Sequence, residues 1–372
     1  MKKQFLILMA AGLFGALACN KSNAPSGAAS LPEGPTGLVS LQISSDPVTK
    51  VADAAKKDSR INTVQILVFN EQGIKETDRY EKPESYNDTG TYSTSFTTRT
   101  GSKTIYAIVN SPRLTETSLA ALESHLSDLG ENTPESMVMS GKITHSVAEY
   151  DKNKNPGAAA EEIGIHVKRL VSMIQLDKIC VNFKGTMLEN GSFTIQEIYA
   201  KNVVGKSPIG VQTAGGQPIP LSDTDLANAG YWYNKMTKES NPPAVTYDAF
   251  SQSCDTNGAE SAVARDLFVY PNNTGGDSDS NSFSPRKTRL VIKAHVRVNA
   301  GEFTPAVDED TYYTFDLPVL QANYIYKISN INISMLGKKD DNSDEKTLAG
   351  LIKPVITVDP WNPNVVSLSY EM

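Results

Sequence analysis

Residues that carry chemistry are scarce in this chain. It has four histidines and three cysteines in 372 residues. His125, His145, His166 and His295 stand far apart, and a surface or half-buried strand position accounts for each better than a metal does. HExxH, GxSxG, P-loop and paired CxxC motifs are all missing, which leaves no positive case for an enzyme or a cofactor. Asp277-Ser278-Asp279-Ser280-Asn281 starts like a calcium loop. Ser282 stands where glycine is needed, however, and Thr288 where glutamate is needed, so a hydrophilic loop is the reading. Positive charge is not in excess: the net charge is −7, which argues against a nucleic-acid partner. Beyond the N-terminus no run is apolar enough to span a bilayer.

What is present begins with a targeting segment. Lys2 and Lys3 precede an apolar stretch, Phe5 to Ala18, that is short for a membrane span. Ala16-Leu17-Ala18-Cys19 follows, with Ala16 where leucine is commoner. This resembles a lipoprotein signal peptide over residues 1–19, with Cys19 as the lipidation site; a plain secretory signal is the alternative. Residues 20–36, rich in Gly, Pro, Ser and Ala, read as a flexible tether. Cys180 and Cys254 are read as free thiols, since nothing in the sequence places them together.

The rest reads as mostly β, from Val, Ile, Thr, Ser and Tyr in short runs between Gly, Pro, Asn and Asp clusters. Val39, Leu41 and Ile43 share one face of a first strand at 37–45. A polar segment at 46–60 with Lys50, Lys56, Lys57 and Arg60 follows it. Residues 61–70 form a near-continuous apolar run, expected at the centre of a sheet. Further strands are expected at 92–98, 103–110, 137–143, 163–176, 179–183, 192–202, 267–270, 289–298, 311–317 and 324–335. Leu119, Leu122, Leu126 and Leu129 at helical spacing predict one helix over 114–129, capped by Thr117 or Ser118 and ended by Gly130. Residues 205–262 read as long and irregular. Within them Tyr231-Trp232-Tyr233 offers a sugar-stacking platform, with packing as the plainer reading. Asp340 to Glu345, beside Lys338 and Lys339, reads as a solvated hairpin tip.

The chain end is unusually apolar. Two β-type segments, 354–359 and 364–372, are split by Pro360 and Pro363. In the second, Val366, Leu368, Tyr370 and Met372 alternate with Val365, Ser367, Ser369 and Glu371. A chain end normally frays unless something ties it down, so this strand either closes its own sheet or completes another.

Taken in series, the signal, GLVSLQISSD, the basic loop, INTVQILVFN, KTIYAIVN, VKRLVSMIQL, NYIYKISNINI and the terminal segment with Trp361 after VITVDP resemble the major fimbrial subunit (fimbrillin) family of type V pili. The resemblance implies a mainly β fold of two β-sandwich-like (transthyretin-like) domains with one short helix in the first. The N-terminal domain would span 37–170, including a removable first strand at 37–50. The C-terminal domain would span 171–352, followed by a donor-strand segment at 353–372. It also implies an outer membrane lipoprotein precursor whose lipidated end and first strand, with Val39, Leu41 and Ile43, are removed by a trypsin-like surface protease. The cut would fall after Lys50, where the family usually has Arg, or alternatively after Arg60. The mature form would enter an extracellular fimbria. Its partners would be other copies of itself and other fimbrial subunits, with Val366, Leu368, Tyr370 and Met372 donated and Pro360, Trp361 and Pro363 forming the bend. Two alternatives stand beside this stalk subunit. One is a tip or minor adhesin, whose C-terminus would be built into its own domain; the other is an anchored glycan-binding lipoprotein using residues 231–233.

Overall fold

Val64 to Phe69 is buried on both sides, and the architecture follows from that strand. The computed structural model describes residues 34–45, 60–83, 90–210, 232–233, 247–272, 287–302, 305–340, 356–360 and 368–370, all within one unit, Gly34–Met372. The protein is mainly β. The first half holds β1 (Thr36–Ser45), β2 (Val64–Phe69), β3 (Lys75–Glu81), β4 (Thr91–Arg99), β5 (Gly101–Val109), α1 (Leu119–Ser124), β6 (Leu126–Asp128), β7 (Met139–Val147) and β8 (Glu161–Arg169). Then come β9 (Ser172–Asn182), β10 (Ser192–Lys201), β11 (Val203–Val204), β12 (Lys206–Pro208), β13 (Trp232–Tyr233), β14 (Tyr247–Cys254) and β15 (Asn257–Val269). The chain closes with β16 (Arg289–Val298), β17 (Val307–Asp316), β18 (Tyr324–Ile328), β19 (Ile331–Ile333), β20 (Ile356–Pro360) and β21 (Leu368–Tyr370).

The first sheet has the order β3-β2-β5-β7-β8-β1-β4. Its two edges meet through side chains: Thr77 donates to Thr98 at 3.4 Å, Thr94 donates to Glu81 at 3.3 Å, and Tyr92 also donates to Glu81. The sheet thus curls toward a barrel. Inside lie Val39, Leu41, Ile43, Val64, Ile66, Val68, Phe96, Ile105, Ile163 and Ile165 among the residues of one apolar cluster. The opposite faces of β2 and β5, Leu67, Phe69, Tyr106 and Ile108, belong to a second and larger cluster. A strand with both faces buried needs no polar alternation, which is why β2 reads as a continuous apolar run.

The larger cluster runs on into two sheets that pack as a sandwich, β14-β10-β16-β17 and β15-β9-β18-β20-β21, with β19 also paired to β9. Phe193 bridges them, with ring centroids 6.2 Å from Phe183 and 5.9 Å from Tyr313. Leu170 and Val171, both buried, carry the chain from β8 into β9.

Three expectations need correction. The helix covers only Leu119–Ser124; Ser118 caps it, accepting from the Ala121 N–H at 3.3 Å. His125 turns out of helical geometry (φ −62°, ψ 131°), so Leu126 enters β6 and Leu129 a 3₁₀ turn. The run 163–176 is two strands with the crossing at Leu170-Val171. Residues 205–262 contain β12, β13, β14 and the first part of β15. The turn from β14 into β15, which crosses from one sheet to the other, is held by Asp255, whose carboxylate accepts from the Asn257 N–H at 2.8 Å and the Ala259 N–H at 3.2 Å. β3 was not anticipated at all.

Candidate assembly site

β1 lies inside its sheet, antiparallel to β4 on one side and parallel to β8 on the other. Val39 sits opposite Phe96, Leu41 opposite Thr94 and Ile43 opposite Tyr92; across β8 the register runs Leu41 to Ile163 and Ile43 to Ile165. Val39, Leu41 and Ile43 are at most 1% exposed, while Ser40, Gln42 and Ser44 look outward. Burying three large aliphatic side chains contributes about 5–9 kcal/mol gross, at ~1.5–3 each.

The strand is fastened at both ends. At its start the Arg99 guanidinium donates to the Gly34 carbonyl, Thr100 N–H donates to Pro35 O at 3.1 Å, and Tyr150 N–H donates to Thr36 O at 2.9 Å. At its finish Ser45 N–H donates to Gly90 O at 2.7 Å. Gly37 has no room for a side chain: a Cβ there would stand 2.3 Å from Ala148 O and 2.3 Å from Val147 Cγ1. Ala148 is held in turn, its N–H donating to Glu161 Oε1 at 2.6 Å while His145 Nε2 lies 2.5 Å from the other carboxylate oxygen. Burial raises the Glu161 pKa, but the Ala148 N–H and His145 outweigh it and hold the carboxyl below its ordinary range. At the same end Lys103 and Glu76 form a buried ion pair at 2.9 Å. Tyr92, opposite Ile43, is pushed up to about 12 by burial and by the neighbouring Glu81.

Of the residues anticipated from sequence, Val39, Leu41 and Ile43 come together as one apolar face. Arg60 is buried: its carbonyl accepts from Asn110 Nδ2 at 2.7 Å and its guanidinium lies 3.5 Å from Glu135. Leu368 and Tyr370 lie in β21, which pairs antiparallel with β20, Val358 facing Leu368 and Ile356 facing Tyr370. β20 pairs with β18, and Pro360, facing Tyr324, is its last residue. Cys19, Lys50, Trp361, Pro363, Val366 and Met372 lie outside the described residues, as do Tyr231 and the loop at 277–281. Three of the four histidines sit beside carboxylates: His125 is 2.6 Å from Glu116, His145 is paired as above, and His295 is 3.0 Å from Asp308 and 2.9 Å from Asp310. His166 lies 3.3 Å from the Ser44 hydroxyl. Among the described residues, no group of three or more His, Cys, Asp and Glu has the geometry to hold a metal ion. Sequence reading missed Gly37, Glu161 and His145. Only the glycine at the strand start gave a signal, and its meaning depends on Ala148, distant in sequence.

Comparison with known proteins agrees with this geometry. The family model described as Major fimbrial subunit protein (FimA) matches residues 38–174. A search of the curated proteins found no match. Among solved structures, the chain is similar to a candidate cell adhesion protein from Parabacteroides distasonis ATCC 8503 at 16% identity and TM-score 0.62, covering 88% of this chain and 100% of that one. It is similar to a fimbrilin (FimA) from Porphyromonas gingivalis W83 at 16% identity and TM-score 0.59, covering 88% and 98%. A further candidate cell adhesion protein, from Bacteroides eggerthii DSM 20697, aligns at 14% identity and TM-score 0.58, covering 88% and 97%. These likenesses show a shared fold. Residues 38–174 are thus similar to the major fimbrial subunit family, and the chain as a whole shares the fold of these solved structures.

Proposed function

We propose that the protein is a stalk subunit of an adhesive cell-surface fimbria that polymerises by strand exchange after proteolysis. One observation carries this reading. β1 is a wedge with an apolar face, held between β4 and β8 and followed by a basic segment, whereas the C-terminal strand has the same alternation and, among the described residues, one neighbour. Removing β1 would leave apolar residues and unpaired backbone groups along β4 and β8, a template for an incoming strand. Burying Val366, Leu368, Tyr370 and Met372 of a neighbour there contributes about 6–12 kcal/mol gross, at ~1.5–3 per side chain, before ordering costs. Donation from one copy to the next is heterologous and does not close, so it builds a filament.

The cut is assigned after Lys50. Burial of Arg60 and the hydrogen bond to its carbonyl support this, because a protease needs exposed, extended chain on both sides of the bond. Lipidation at Cys19 would carry the precursor to the outer membrane, and the cut would release it. Deleting residues 364–372 should leave a folded subunit that no longer polymerises; normal filaments from this deletion, seen by electron microscopy, would refute the reading.

A second reading, a terminal or tip subunit, is favoured by one observation: β21 is paired within its own sheet. A tip subunit would keep that pairing in the assembled fimbria. Protection of residues 368–370 from hydrogen exchange, equal in monomer and filament, would identify it.

A further inference from the structure

We infer that the donor strand enters the β1 slot in one register, with Val366 at the place of Val39 and Met372 at the place of Ser45, and that Gly37 marks where the donor must leave the slot. This rests on the strand-exchange reading above and specifies the partner of that site: residues 366–372 of a second copy.

Four observations fix the register. The first is sequence identity: Val39-Ser40-Leu41 in β1 recurs as Val366-Ser367-Leu368 at the chain end. Matching the two puts valine on Phe96 and leucine between Thr94 and Ile163, as in β1 itself. The second is the glycine. Any residue with a Cβ at position 37 meets Ala148 O and Val147 Cγ1 at 2.3 Å, and residues 353–372 contain no glycine. The donor therefore cannot follow the path of β1 through position 37. A shift by two residues in that direction would put Val366 there and is blocked. The third is polarity. A shift by two the other way puts Asn364 at the fully buried place of Val39. Any shift by one turns Ser367, Ser369 and Glu371 into the apolar interior. The fourth is charge. In the inferred register Glu371 takes the place of Ser44, whose hydroxyl lies 3.3 Å from His166 Nδ1, so a carboxylate arrives beside an imidazole. The two residues larger than those they replace, Tyr370 for Ile43 and Met372 for Ser45, fall at the end from which residues 46–50 are removed by the same cut.

Cysteine pairing reads the register directly. In it Ser367 occupies the place of Ser40, opposite Ser95 of β4. Directly opposed residues on antiparallel strands come close enough for a disulfide. Full chains carrying S367C together with S95C, S93C or T97C are processed with a trypsin-like protease, allowed to assemble, oxidised and run on non-reducing gels. Unprocessed chains serve as controls, and Cys180 and Cys254 are present in every variant. The inference expects a covalent ladder in the S95C series, several-fold stronger than in the S93C or T97C series and lost on reduction. A ladder in S93C or T97C with none in S95C overturns the register and leaves strand exchange standing. Filaments by electron microscopy with no ladder in any series also overturn it. Failure of the processed wild-type chain to assemble removes strand exchange itself, and the register with it.

Discussion

Gly37 ties the start of β1 to a loop more than a hundred residues away. In the uncut chain, Gly37→Ala must push Ala148 or Val147 aside, and overpacking of this kind costs about 1–3 kcal/mol. A lower denaturant midpoint of the unprocessed chain is the expected outcome, while under the proposed processing the filament, without residue 37, would keep its stability. Lys103 and Glu76 give a second test nearby. Lys103→Met strands a buried carboxylate and should cost about 3–5 kcal/mol, much of it recovered in the double variant with Glu76→Leu. Glu161 gives a third. Its folded pKa lies below the ordinary 4.5, so its charge contributes stability above that value and the contribution disappears as pH falls through the folded pKa. The difference in denaturant midpoint between wild type and Glu161→Gln should therefore be largest near neutrality and shrink below about pH 4.5. Gly37 was visible in the sequence only as a strand start, because a steric limit set by a distant carbonyl leaves no local pattern.

Among the elements, legibility followed the faces. β1 alternates and has one buried face; β2, β5 and β16 read as apolar runs because both of their faces are largely covered. β3 escaped detection because every residue of KETDRYE is only partly buried, and its charges are satisfied laterally, Lys75 with Asp78 at 2.8 Å and Arg79 with Glu81 at 2.5 Å. The first part of β15 hid for the same reason: its register across β9 is polar, with Lys178 meeting Glu260 at 2.7 Å. The helix was overextended because Leu126 and Leu129 keep helical spacing while packing from a strand and a 3₁₀ turn. The two strands of the proposed assembly site also differ in how they are held, with β1 paired on both sides and β21, among the described residues, on one. Backbone amides of 39–45 should exchange with solvent far more slowly than those of 368–370 in the unprocessed chain, measured by mass spectrometry of peptic fragments.

At the scale of the molecule, the site was half legible. Both alternating strands and the basic segment between β1 and β2 stand in the sequence. That β1 is an interior strand, parallel to one neighbour and antiparallel to the other, does not, because pairing partners come from topology. The low accessibility of Arg60 was legible from its place against the next strand, whereas the hydrogen bond from Asn110 to its carbonyl was not, and both support the proposed cut after Lys50. Lys50→Ala should abolish release of the first strand, whereas Arg60→Ala should leave a mature N-terminus at Val51, read from the mass of the surface protein.

The flanking of β1 by β4 and β8 also bears on mechanical load. A fimbria is pulled along its length, and a strand lying between two partners and drawn along its own axis loads every backbone hydrogen bond on both sides at once. Under the proposed strand exchange, a donor in this slot would therefore yield in shear, at a rate set by one high barrier for the whole strand. β21, with one neighbour among the described residues, can be peeled away bond by bond. Under the proposed strand exchange, the same segment would be loosely stored at one address and firmly seated at the other, and traction on the filament would act only on the firm one.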